Sequence, residues 1–152
     1  MKKTLSTVED LAGIRERIGS LAPTDARRWG AMNVHQMVCH LSDSYGLPLG
    51  ERVAAPMKQS VPLPLLKWFA LQAPMKWPKG VPTVSELDQC KGGGTSPVAF
   101  EADVAVLLDK LGCFAAASGP WPPHPIFAGL TTSEWMRWGY LHVDHHLRQF
   151  GR

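Results

Sequence analysis

The chain has 152 residues, 45% of them hydrophobic and 19% charged, with a formal net charge of +3. That length suits one domain with a single sizeable core, assigned to residues 1–152, and the composition excludes a disordered chain. A modest charge without any Lys/Arg-rich run speaks against nucleic acid and anionic lipid, and no window approaches the ~18 uninterrupted apolar residues of a membrane span.

The N-terminal "MKKTLSTVEDL" starts like a signal peptide, but Glu9 and Asp10 interrupt it before an apolar stretch develops. The cysteines Cys39, Cys90 and Cys113 are scattered and form no C-x-x-C. A disulfide scaffold is therefore not expected, and the chain reads as cytoplasmic with reduced thiols.

The first helix opens at "STVE", where Ser6 and Glu9 have capping-box spacing. Val8, Leu11, Ile14, Ile18 and Leu21 then form one apolar stripe, and Pro23 ends it. The second begins at Asn33, a favourable cap, and carries Val34, Met37, Val38, Leu41 and Tyr45 on one face before Gly46 and Pro48. A long Pro- and Gly-rich crossover follows, holding one short helix around Leu65 to Ala73. The third long helix is expected from "TSP", with Ser96 as cap and Pro97 at the first helical position. Its stripe is Phe100, Val104, Leu107, Leu108, Leu111 and Phe114. The fourth starts at a second capping-box pattern, Thr131 to Glu134, and runs to Gly151. Four amphipathic helices, no strand pattern and one long crossover predict an all-α four-helix bundle.

Half of the six histidines lie in "HVDHH", within the last of these helices. On a helical wheel with Trp135 at zero, His142 falls at about −20° and His146 at about +20°, with His145 near −80°. Trp138, Gly139 and Phe150 share the inner arc, whereas Arg137, Asp144 and Arg148 lie opposite. His142 and His146 thus point into the apolar stripe one turn apart, the spacing at which two imidazoles chelate one metal ion. Backbone carbonyls or waters would satisfy such a pair as well. A third ligand would decide between these readings, and the candidate is His40 on the shoulder of the second helix. His145, at the border, is expected at solvent or a dimer contact.

These residues resemble a known family. "WGAMNVHQMVCHLSDS" looks like the second-helix signature of the DinB/YfiT-like superfamily, and "HPIFAGLTTSEWMRWGYLHVDHHLRQFG" is similar to the last helix of one bacterial branch of it. The resemblance implies an up-down-down-up four-helix bundle, commonly dimeric, with one divalent metal ion on three histidines. On matching positions these are His40, His142 and His146. It also implies thiol-transferase or isomerase chemistry, with low-molecular-weight thiols among the substrates.

Three protein ligands leave an open coordination position, as in catalytic sites, and imidazoles suit zinc, nickel or iron. The expected function is a metal-dependent enzyme that activates a thiol or a water for attack on a small electrophile. The alternative is a non-catalytic bundle that binds a ligand or partner and keeps its metal as a staple. Asp43, Ser44 and Asp144 are weighed as groups behind the ligands, and read as caps or solvated groups instead. His124, in a loop, is a possible pocket residue with Trp135 and Trp138, though a plain surface histidine also fits. Cys39 faces away from His40, which opposes a Cys–His nucleophile. "LLKWFALQAPMKW" reads as packing over the bundle, and "KGGGTSP" as a flexible connector without P-loop spacing.

Overall fold

The computed structural model describes residues 2–152, and among these the ordered elements are helices. Four long ones are α1 (Val8–Gly19), α2 (Val34–Gly46), α4 (Phe100–Ala116) and α5 (Thr132–Gln149); the short α3 (Leu63–Lys67) lies in the crossover. The chain is therefore all-α. Its nearest approach to a strand is one isolated antiparallel bridge, His124 to Ala128. No described helix is long and apolar enough to cross a membrane.

The caps explain where the helices begin. Asn33 and Thr131 each form the reciprocal box, with Gln36 and Glu134 returning the bond. For α1 the cap is Thr7 rather than Ser6, its hydroxyl accepting from Asp10 N–H, while Asp10 reaches back to Thr4 N–H. The cap sits one residue later than expected, and without a reciprocal box, because Leu5 turns inward, 1% exposed, with its N–H on Met136 O of α5. Val8, expected in the stripe, is consequently solvent-facing. Nor does α4 start at Ser96. Residues 96–99 lie outside the helix, which opens at Phe100 after an extended Ala99 and without a side-chain cap. Asp103, in its first turn, accepts from Val98 N–H at 3.0 Å and does the capping from inside. At the other end of the chain, Gly151 N–H bonds Arg148 O and Arg152 N–H bonds Leu147 O, the Schellman pattern that closes α5.

Helix α2 packs on α4 and α5, and α1 packs on the same two. Their facing stripes bury one core: Ile14 and Ile18 of α1, Met37, Leu41 and Tyr45 of α2, Leu107, Leu111 and Phe114 of α4, and Trp135, Val143 and Leu147 of α5. Tyr45 reaches through it to donate to Gly139 O at 2.9 Å. At Gly139 the approach is tight: a Cβ would sit 2.5 Å from the Phe114 ring and 2.9 Å from Leu5.

The crossover is anchored. Helix α3 widens into a π-type turn over Trp68–Gln72, and two 3-10 turns, Ser85–Leu87 and Gln89–Lys91, dock on α2. The buried carboxylate of Asp43 takes Thr95 N–H at 2.7 Å, Thr95 Oγ1 at 2.8 Å and the Arg52 guanidinium at 2.7 Å. "KGGGTSP" is thus a docked segment and not a flexible connector. A Cβ at Gly94 would lie 2.4 Å from Asp43 Oδ2, so only glycine lets the backbone come this close.

Gly139→Val should therefore destabilise the protein by roughly 1–3 kcal/mol through overpacking against Phe114 and Leu5. Urea unfolding checks this, with a lowered midpoint at unchanged slope as the expected result.

Candidate metal centre

His40 sits in the middle of α2, and His142 and His146 occupy successive turns of α5 where the two helices meet. His142 Nε2 is 3.3 Å from His40 Nε2 and 3.1 Å from His146 Nε2. Two ligand atoms about 2.0–2.1 Å from a shared ion, at ordinary tetrahedral angles, lie about 3.1–3.4 Å apart. The spacing is that of ligands around one ion.

The second nitrogens decide what the first can do. His40 Nδ1 is 3.0 Å from Leu87 O, and a carbonyl only accepts, so Nδ1 carries the proton. His146 Nδ1 likewise meets Gln149 Oε1 at 2.7 Å. Both Nε2 atoms therefore present lone pairs, and both are turned toward His142 Nε2. A proton on His142 could be shared with one of them, never with both. A cation at the centre satisfies all three, and the residues fit one on this ground. His142 Nδ1 is buried without a protein partner.

Burial also sets the charge state. It holds His142 and His146 well below the ordinary imidazole range, each ring further disfavouring charge on the next. His40 is lowered by the same burial, partly offset by its Leu87 bond. All three are neutral at pH 7, the form in which imidazole ligates.

The groups behind the rings were not those weighed from the sequence. Asp43 holds Thr95 and Arg52, Ser44 Oγ donates to His40 O, and Asp144 pairs with Arg17 and Arg148. None touches a ring nitrogen of the three. The backing acceptors are Leu87 O, delivered by the docked crossover, and Gln149, three residues beyond His146. The Gln149 position was open to a helical-spacing argument; the Leu87 carbonyl left no sequence signal.

His145 does not face solvent. It is 8% exposed, between Trp29, Trp77 and His146, because the crossover covers the border of the stripe that a bare wheel leaves open. Nor is His124 a surface or pocket residue. Its ring packs on Trp135 and Trp138, and its Nδ1 accepts from Ile126 N–H at 3.0 Å and Phe127 N–H at 3.3 Å. Burial lowers its pKa to about 3. Trp135 is wholly enclosed among Phe114, Trp121 and His124, so it belongs to the core and lines no opening. Trp138 lies between His124 and His142, its ring centre 5.0 Å from each. Trp77 of the crossover covers the other side, 6.1 Å from His142.

A second convergence, His35, Cys39 and Asp103, brings three ligand types together on α2 and α4. Here His35 Nε2 and Asp103 Oδ2 are 2.6 Å apart, a direct hydrogen bond. Around a shared ion that separation would demand an angle of roughly 80°, so the geometry favours the hydrogen bond. The Cys39 thiol, pushed up to about 12 by burial and by Asp103, stays protonated.

Residues 2–152 match the family described as "Protein of unknown function (DUF1569)". No curated protein and no solved structure matches the chain.

Gln149→Leu should weaken divalent-metal affinity about 10- to 100-fold by freeing His146 Nδ1, with the fold retained; metal titration followed by circular dichroism measures both. His124 yields a pH prediction. Its folded pKa of about 3 lies below the unfolded 6.5, so between these values the unfolded chain binds the extra proton. Its penalty is absent above pH 6.5, grows as pH falls toward 3 and levels off below. In His124→Gln the acid limb of stability should be shallower by up to ~1.4 kcal/mol per pH unit, read from urea midpoints across that range.

Proposed function

The chain belongs to the DUF1569 family, whose description names no activity, and we propose from the site itself that it is a metal-dependent enzyme acting on a small molecule. One observation carries this reading: three imidazole Nε2 atoms from two distant segments converge within hydrogen-bond distance, with two of them fixed as lone-pair donors. His40, His142 and His146 would hold the ion. A zinc, nickel or iron ion on three histidines keeps an open position at which a water or a substrate thiol loses its proton more readily.

The chain's own part is positioning and exclusion. Leu87 O and Gln149 Oε1 keep the rings of His40 and His146 turned so that neither must reorient before use. Trp138 and Trp77 wall the site against bulk water, which strengthens any charge interaction inside it. His142 is the least buried of the three and marks the side from which a substrate would approach. Among the described residues no carboxylate is hydrogen-bonded to the three rings, so a bound metal ion would supply the ionisation of the attacking group. That favours a thiol or water nucleophile over an acid–base mechanism run by side chains alone.

The helix order and the histidine spacing further support membership of the DinB/YfiT-like superfamily, with its four-helix bundle and long crossover. We extend its expectations to this chain: a homodimer in the bacterial cytoplasm, using a low-molecular-weight thiol, without nucleic-acid or membrane partners.

A second reading, a structural metal in a ligand- or partner-binding bundle, draws support from the two indoles packed on His142 and from the near-complete burial of His40. Chelation separates the two. A catalytic site should lose its metal with little change in melting temperature, whereas a structural one should lose much of its stability.

Protein purified without added metal should carry one divalent ion per chain, and His146→Ala should reduce that content at least about tenfold. Elemental analysis of both proteins is the measurement, and undiminished metal in the variant would end the assignment.

A further inference from the structure

Two open clefts adjoin each other and share Lys76 and Arg148. The larger, about 470 Å³, adds Lys2, Lys3 and Arg137; the smaller, about 320 Å³, adds Arg28, Lys79, Arg152 and the indole of Trp29. Half of the chain's 16 lysines and arginines thus line the two clefts, with Asp144 the one acidic side chain among the described residues that line them. These cations come from the N-terminus, the loop before α2, the crossover and α5. No linear run betrays them.

Four of the eight are already neutralised or bonded through their side chains, Lys2 by donating to Gln72 Oε1. Arg148 pairs with Asp144 at 2.9 Å, Arg152 with Asp25 at 2.6 Å, and Arg137 donates to the carbonyls of Leu71 and Lys3. Arg28, Lys76 and Lys79 have no carboxylate within ion-pair distance among the described residues, and all three line the smaller cleft. Two of them are held in place. Arg28 donates its backbone N–H to Gln149 O at 2.6 Å, and its guanidinium lies over Gly151, where a Cβ would come within 2.5 Å. Lys79 Nζ stands 4.7 Å from the centre of the Trp29 ring. Three uncompensated cations around a concavity make a site for an anion.

Two chains of contacts join the smaller cleft to the residues behind His146. Trp29 packs against His145, the neighbour of His146. The Gln149 side chain abuts Gly30, where a Cβ would lie 2.6 Å from Nε2, and its Oε1 binds His146 Nδ1.

We propose that the cleft between Arg28, Lys76 and Lys79 binds the carboxylate or phosphate group of the small molecule whose reactive end is presented to His40, His142 and His146. The second half of that statement rests on the metal-dependent reading above; the anion site rests only on its own cations. A small anion fits better than a nucleic acid, because Arg28, Lys76 and Lys79 converge on one small concavity and the arginines around it are already occupied.

Isothermal titration of inorganic phosphate, and separately of malonate, into the full-length protein at low salt tests the site. Both Lys79→Glu and Arg28→Glu change exposed residues, so the fold is preserved. Each should weaken binding at least about tenfold while metal content stays unchanged. The metal-poor His146→Ala should bind within about twofold of wild type, since the two sites are separate. A preference between phosphate and malonate names the anionic group. Binding that survives both charge reversals, or that disappears in His146→Ala, would overturn the proposal. So would failure of both anions to bind, and in that case uptake on phosphatidylserine vesicles would assign the face to a lipid surface. Metal content is read independently, so loss of the anion site leaves the metal assignment standing, and the reverse.

Discussion

Three imidazole nitrogens turned toward one another are an unfavourable arrangement unless something positive lies between them. In this protein two of the three are committed to that arrangement from behind. Leu87 O holds the proton of His40 on Nδ1, and Gln149 Oε1 does the same for His146. Burial then removes the simple escape, protonation of a ring, because it lowers all three pKa values. Neutral rings, fixed tautomers and converging lone pairs amount to preorganisation for a cation, and they arise from ordinary packing constraints.

Those constraints reach far from the histidines. Leu87 can serve His40 only if the crossover turn lies against α2. That docking is secured by Asp43, which gathers Thr95 and Arg52 one turn along from His40. Buried at 1% exposure, the carboxylate is tolerable only because three donors surround it. Gly94 is part of the same device, since any side chain there would displace Asp43. On the α5 side, the Schellman closure at Gly151 ends the helix just past Gln149, so the amide stays on helix and faces His146.

Around this centre the protein divides into a core side and a side covered by loop residues. The column His124–Trp138–His142, backed by Trp135 and Phe114, joins the centre to the core, and His124 contributes as an acceptor for two backbone N–H groups. On the opposite side Trp77 covers His142 and His145, and Trp29, which also lines the smaller basic cleft, packs on His145.

Periodicity alone placed His142 and His146 inside, because two residues four apart on an amphipathic helix share whichever face the apolar stripe defines. The caps at Asn33 and Thr131 and the extents of the two helices bearing the histidines followed from local chemistry for the same reason. Local rules failed where a distant segment intervened: Leu5 moved the first cap to Thr7, Asp103 capped α4 from within, and the crossover buried His145. His40 was legible only as a shoulder position until family resemblance singled it out. Its meeting with α5, the Leu87 carbonyl, the inward turn of His124 and the gathering of scattered lysines and arginines on one face were decided by tertiary structure. Each depends on contacts between residues tens of positions apart, and no period of 3.6 residues carries that information.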